Sequence, residues 1–452
     1  MNPQGERWTT DQVLALAPDE ASRKAGGKLA TPGPWSDTGA GRSAVWGLCK
    51  GSGKKPYQTV ADVKGQAFRC SCPSRKFPCK HALGLLLLWA GTEGAVADGE
   101  PPQWAGEWLD NRREHAAGRT DDGVPGGGAA ARAPADPEAA ERRAERRMQR
   151  IGAGATELEQ RLEDLLQSGL AAAGRTAPWD ETAARMVDAQ APGLAARVRE
   201  LGPVAASGPD WPTRLLEECA LLHLLTRGFL GIERLPDPLA ATVRARVGLT
   251  TEAAGLLAGS DTTAVRDRWL VLSQQDSDDG KLTTRRIFLR GERTGRMALH
   301  LSFGGPHRPL DLALPPGLVI DADLTYYPGA RPLRALLGER HAPAAPGPVP
   351  PGCGVDAALA AYGDTLRDDP WLDSWPVVLA DVTPIPAGDG EGWQLADALG
   401  ESAVPLDPRC LGRTGLWRLV AISGGEPVTV FGECGHHGFR PLTVWDPTPV
   451  AL

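Results

Sequence analysis

The sequence predicts a multidomain α+β protein. A small N-terminal module of two or three short strands and one helix, ββ(β)α, is followed by a central all-α region. A C-terminal α+β domain with a mostly antiparallel sheet completes the chain. Three observations predict this. Before residue 90, strand-like stretches lead into an apolar run too long and too Leu-rich for a strand. Helix-period segments crowd residues 137–260. From about residue 265, β-branched and aromatic stretches separated by turn residues return. The expected domains are 1–116, a flexible linker at 117–136, a helical domain at 137–260 and a β-rich domain at 261–452, in a chain long enough for several cores.

In the N-terminal module, SAVWGLC (43–49), YQTVADV (57–63) and AFRC (67–70) read as strands, separated by GSGKKP and Lys64-Gly65. HALGLLLLWA (81–90) reads as a buried helix. A second helix follows at 101–114, where Trp104 and Trp108 share a face at i, i+4. The Gly-, Ala- and Pro-dense stretch 117–136 lacks apolar periodicity and reads as linker.

Asp136 as N-cap and Pro137 at N1 open the next helix, which carries Arg142, Arg143, Arg146, Arg147 and Arg150. Interleaved glutamates, as in Glu138–Arg142, favour a solvated face over a nucleic-acid contact. A capping box, Thr156 to Glu159, is expected to start another helix with Leu158, Leu162, Leu165 and Leu166 on one stripe. Further helices are expected at 179–190, 192–201, 211–230 and 237–249, with His223 as a core histidine of the third.

In the last domain, strands are expected at 267–275, 281–291, 295–303, 318–327, 375–385, 415–422, 426–433 and 440–445, with a helix at 356–369.

Charge is unevenly distributed. Residues 1–90 hold 13 Lys and Arg against 6 Asp and Glu, a net +7. The whole chain is −7, so the remainder is −14. Eight of the nine lysines precede residue 81. No apolar run approaches the roughly 18–20 residues that cross a bilayer, and the first residues do not read as a signal peptide. Eight cysteines in 452 residues are too sparse for a disulfide scaffold, so a reducing, cytoplasmic setting and no membrane partner are expected.

Three of those cysteines fall together in CSCPSRKFPCKH, as Cys70-x-Cys72 and Cys79-x-His81. Three thiolates and one imidazole suit tetrahedral Zn²⁺, and the six-residue spacer lets the two pairs meet. Four protein ligands close the coordination sphere, so one structural zinc is expected. Its net charge of about −1 can be offset by Arg69, Arg75, Lys76 and Lys80.

This stretch resembles the SWIM-type zinc finger, whose pattern is CxC, a variable spacer and CxH. All four ligand positions match, and the strands before the first pair and the helix after the second fit the family's arrangement. The resemblance covers residues 43–90. It implies binding of nucleic acid or of protein. Among long bacterial SWIM proteins it also implies partners such as MoxR-type AAA+ ATPases and von Willebrand A domain proteins.

Other motifs fail or stand alone. GSGKK (51–55) lacks the first glycine and the hydroxyl residue of a phosphate loop, and GVPGGG lies in the linker rather than between strand and helix. ECGHHG (433–438) offers Cys434, His436 and His437 as a second metal set, but a turn between strands is the favoured reading. Cys49, Cys219, Cys353 and Cys410 read as isolated thiols. Asp321 and Asp323 share a strand face without an identifiable partner.

The expected function is therefore non-enzymatic macromolecular recognition by a zinc module. DNA or RNA would be held by Lys54, Lys55, Lys64, Arg75, Lys76 and Lys80, with Tyr57 and Phe77 for stacking. The alternatives are a protein adaptor and, third, an enzyme with its site in the C-terminal domain.

Overall fold

A computed structural model describes residues 8–17, 20–41, 44–51, 55–63, 67–74, 76, 78–91, 94–117, 137–170, 177–204, 207–208, 210–249, 256, 264–278, 282–304, 310, 312–388, 392–410 and 414–452. The expected linker lies outside these, save Ala117, and so does Asp136. No helix among the described residues is long and apolar enough to cross a membrane.

The N-terminal module begins with helices α1 (Thr10–Ala15) and α2 (Glu20–Gly27). A sheet follows: β1 (Trp35–Gly41), β2 (Ala44–Cys49), β3 (Tyr57–Asp62), β4 (Ala67–Cys70) and β5 (Ala97–Asp98), in the order β4-β3-β2-β1-β5. Strands β1 and β5 were not expected from the sequence. Period-2 alternation gives the sheet two apolar faces. Val45, Ala61 and Phe68 meet α3 (Lys80–Gly91), whose Leu83, Leu85, Leu86 and Leu88 are fully buried. Trp46 and Val60 meet Ala105 of α4 (Gln103–Ala117), flanked by Trp104 and Trp108. Helix α3 passes close to the end of α2, where a Cβ on Gly84 would lie 2.5 Å from the Cβ of Leu29.

The central region comprises α5 (Pro137–Ser168), α6 (Ala177–Asp188), α7 (Pro192–Val204), α8 (Trp211–Leu230) and α9 (Asp237–Val247). Their core is built from Ile151, Leu158, Met186, Val198, Leu222 and Phe229, among others. Two expectations are corrected here. No capping box interrupts α5: Thr156 Oγ1 donates to the Gly152 carbonyl one turn back (3.0 Å). Glu159 is instead buried and accepts from Thr226 of α8. His223 is not a core residue. It stands exposed, its Nδ1 2.7 Å from Glu159, because α8 turns that face outward. Of the expected leucine stripe, Leu158 and Leu162 are buried and Leu166 is 50% exposed.

The remaining chain forms two antiparallel sheets. One contains β6 (Val265–Asp278), β7 (Thr283–Gly291), β8 (Met297–Gly304), β9 (Leu318–Tyr326) and β10 (Ala335–Arg340), ordered β10-β9-β6-β7-β8, with β11 (Ala345–Pro346) also on β9. The other contains β12 (Ser374–Pro386), β13 (Trp393–Asp397), β14 (Ala403–Pro405), β15 (Val428–Gly435), β16 (Gly438–Asp446) and β17 (Thr448–Ala451), ordered β14-β13-β12-β15-β16-β17. Leu270, Leu272 and Phe288 of the first pack against Val378, Phe431 and Trp445 of the second. A bidentate pair, Arg286 to Glu433 (2.7 and 3.1 Å), spans the same interface.

Helices α10 (Val355–Asp368) and α11 (Thr414–Ser423) share the core of the second sheet. The expected strand at 415–422 is therefore a helix. Leu416, Leu419 and Ser423 are buried at i, i+3 and i+7, while Trp417 is 60% exposed, so the run packs with helical period.

The regions touch through specific anchors. Trp371 inserts into the core of the helical region and donates its Nε1–H to the Leu221 carbonyl (2.8 Å). Arg197 donates to the Trp371 carbonyl (2.7 Å), and Arg246 pairs with Asp369 (2.6 Å). Ala313, fully buried, belongs to the core of the N-terminal module, while its neighbour Leu314 belongs to that of the first β-rich sheet.

Candidate metal centre

The four residues singled out in CSCPSRKFPCKH converge. One ligand atom each from Cys70, Cys72, Cys79 and His81 lies within 4.8 Å of the others. Local structure explains the convergence. Strand β4 ends at Cys70, directly opposite Thr59 of β3. The chain then turns as Ser71 N–H donates to the Gln58 carbonyl and Ser71 Oγ accepts from Gln58 N–H, both at 3.0 Å, carrying Cys72 back towards Cys70. At the other end, the Cys79 carbonyl accepts the N–H of Leu83 (3.0 Å), so Cys79 opens α3 and His81 sits in its first turn.

His81 Nδ1 lies 3.7 Å from Cys70 Sγ and 4.0 Å from Cys79 Sγ. Around a tetrahedral Zn²⁺ with bonds of about 2.3 Å to sulfur and about 2.05 Å to nitrogen, S···N separations are about 3.6 Å. The donor set is therefore near the size this ion requires. Cys79 and His81 are buried, whereas Cys70 and Cys72 are half-buried. The Tyr57 ring packs on the imidazole, centroids 4.9 Å apart, and the Thr59 hydroxyl is 3.3 Å from Cys70 Sγ.

The three thiols also hydrogen-bond one another. Cys72 is held far below the ordinary thiol range by hydrogen bonds from Cys70 and then Cys79. Cys70 is pushed up to about 11, chiefly by its bond to Cys72, and Cys79 is pushed higher still by Cys70 and Cys72. A divalent cation would draw all three thiols to thiolate.

Of the six expected nucleic-acid contacts, Lys55, Lys76 and Lys80 are described, and all three are exposed, as are Lys50 and Arg69. Lys54, Lys64 and Arg75, with Phe77, lie outside the described residues.

The second metal set suggested by the sequence is not assembled among the described residues. Cys434 is buried in the core beneath β15, while His436 and His437 are exposed in the turn to β16, their rings 4.3 Å apart. His436 Nδ1 meets the Tyr362 hydroxyl at 3.3 Å. Burial, then His436 and Arg409, push the His437 imidazole below its ordinary range. Cys49, Cys219 and Cys410 are buried and outside any disulfide, and Cys353 is half-buried.

Asp321 and Asp323 gain the partners that sequence could not identify. Asp321 takes a bidentate pair from Arg266 (3.0 and 2.9 Å), and Asp323 meets His341 Nε2 (2.9 Å). Asp323, His341 and the exposed Glu339 form a second group of ligand-type atoms that sequence reasoning missed, because the residues come from different strands. Beside them a cleft of about 390 Å³ is lined by Arg266, Asp267, Arg268, Glu292, Arg293 and Asp321, with Arg266 and Arg268 already ion-paired.

Comparison with known families agrees with the geometry. Residues 69–90 match the SWIM zinc finger, and residues 146–247 match the SWIM-associated four-helix bundle domain. No curated protein and no solved structure matches the chain. The second match begins inside α5 and ends with α9, so it falls on the helical core described above. The Cys/His cluster lies inside one matched segment and the helical core in the other, so the chain carries a segment similar to the SWIM zinc finger followed by one similar to the helical bundle associated with it.

Proposed function

We propose that the chain is a non-enzymatic recognition protein in which one structural zinc shapes the N-terminal module and nucleic acid is the module's ligand. The observation that carries this reading is the pairing of a four-donor set, which leaves no ligand position for an activated water, with exposed cations around it. Phosphate backbone would be met by Lys55, Lys76 and Lys80, with Lys54, Lys64 and Arg75 as further contacts. The zinc holds the CxC turn and the start of α3 in fixed register, so Lys76 and Lys80 are presented from a rigid frame. Few cysteines and no disulfide scaffold suit a cytoplasmic setting.

A gel-shift and anisotropy panel of the full chain against DNA, RNA and heparin tests this. Affinity should fall with salt at a slope of about −0.9 per phosphate contacted. Reversal of Lys55, Lys76 and Lys80 to Glu should weaken all sequences alike and flatten that slope. Salt-insensitive binding, or binding that tolerates the triple reversal, would overturn the reading.

A second reading, a protein adaptor, is favoured by one observation. Trp417 is 60% exposed and packs edge-on against Trp393 at 5.8 Å, the kind of aromatic that anchors protein interfaces. An AAA+ ATPase or a von Willebrand A domain protein would be the partner to test, by pull-down with and without Trp417→Ala.

A further inference from the structure

We infer that Thr59 is a positioning residue for the metal: its hydroxyl donates to the Cys70 thiolate and fixes that ligand in the coordination sphere. The inference rests on the zinc reading and adds a residue that no ligand motif contains.

Thr59 is fully buried, and it faces Cys70 across the β3–β4 ladder. Directly paired residues on one sheet face hold their side chains together, and here Thr59 Oγ1 reaches Cys70 Sγ at 3.3 Å. Either atom can donate while Cys70 is a thiol. Once the sulfur is a metal-bound thiolate it has no proton, so only the hydroxyl can donate. That contact is the one polar interaction the Thr59 hydroxyl makes among the described residues. A buried hydroxyl left without a partner keeps its desolvation cost uncompensated, so the contact is specified from both sides.

Such a bond spreads charge away from a sphere that carries about −1. Tyr57, two residues before Thr59 and therefore on the same face of β3, supports the opposite ligand pair by stacking on His81. One strand outside the ligand motif thus braces one ligand from each half, as outer-shell partners do in metal sites generally.

The test uses the full chain in three forms: wild type, Thr59→Val and Thr59→Ser. Zinc content of the wild type is measured first, and a metal-free wild type would overturn both the zinc reading and this inference. Zinc affinity is then read by chelator competition, and thiolate ligation by the sulfur-to-cobalt charge-transfer band of the Co²⁺-loaded protein. Thr59→Val keeps the shape and removes the donor. It should weaken zinc binding about 10-fold or more and shift the charge-transfer band, with zinc content unchanged at saturation. Thr59→Ser keeps the donor and removes a methyl group, and should stay within about threefold of wild type in affinity with the band in place. A valine variant with wild-type affinity and spectrum would refute the inference. So would a serine variant as weak as the valine one, which would make the role one of packing. Should the valine variant not fold, the serine variant decides alone, since tenfold weaker binding there would refute the donor role.

Discussion

Replacement of Trp371 by Ala should release the helical region from the β-rich region. The indole is 4% exposed, lies in a core otherwise built by α5–α9, and donates to the Leu221 carbonyl at 2.8 Å. A buried tryptophan removes roughly 150–250 Å² from water. At about 25 cal/mol per Å² that is about 4–6 kcal/mol, an upper figure because unfolded chains already bury part of it. Truncations of this size cost about 3–5 kcal/mol, cavity included. Leu221 lies mid-helix in α8, so its carbonyl keeps a helical partner and adds little to the loss. The expected loss is therefore about 4 kcal/mol, concentrated in α7, α8 and α9. Trp371→Phe, which keeps most of the apolar bulk, should lose less than half of that. Urea unfolding followed by far-UV circular dichroism should show a separate, earlier helical transition in the alanine variant. Hydrogen-exchange mass spectrometry should place the new openings in those helices and not in β12 or β15. A loss below about 1 kcal/mol, or uniform acceleration across the chain, would refute the anchor.

Cys79→Ser should abolish stoichiometric zinc and unfold the N-terminal module, since metal binding energy is folding energy in small zinc modules; elemental analysis and limited proteolysis should show this with residues 137–452 still protected. Gly154→Ala should destabilise by about 1–3 kcal/mol in a urea melt despite the better helix propensity of alanine, because its Cβ would lie 2.6 Å from that of Ala189. Asp267 should give an acid-sensitive term. Burial pushes its carboxyl up, but hydrogen bonds from Thr294, Arg293 and Arg268 outweigh that and hold it below the ordinary range. A carboxyl depressed in the folded state stabilises fully above about pH 4 and loses that contribution as pH falls through its folded value. The drop in urea midpoint between pH 5 and pH 3 should therefore be smaller in Asp267→Asn than in wild type; equal drops would sink the assignment.

The metal centre was legible because its four ligands lie within twelve residues, and thiolate and imidazole spacing is itself the chemistry. Thr59 was not, since its role depends on β3–β4 register, which no local pattern carries. The long α8 was read to the residue because twenty residues of helical period are hard to mistake. In α11 the eight-residue run GLWRLVAI satisfies alternation and helical period almost equally, and packing on β16 decided between them. Glu159 looked like half of a capping box because motif spacing cannot reveal that Thr226, 67 residues on, will claim its carboxylate. Trp371 was invisible for the same reason: its partner Leu221 is 150 residues away in sequence.

Ala313 gives the chain an order of assembly. The helix that crowns the zinc module ends at Gly91, but one residue of the module's core is supplied some 220 residues later. At about 5–20 residues per second on the ribosome, that piece arrives roughly 10–45 s after the rest of the module. During this interval the metal can close the ligand cluster while one wall of the apolar core is still open. The module's apolar core is closed only when residues 312–314 settle between it and the first β-rich sheet.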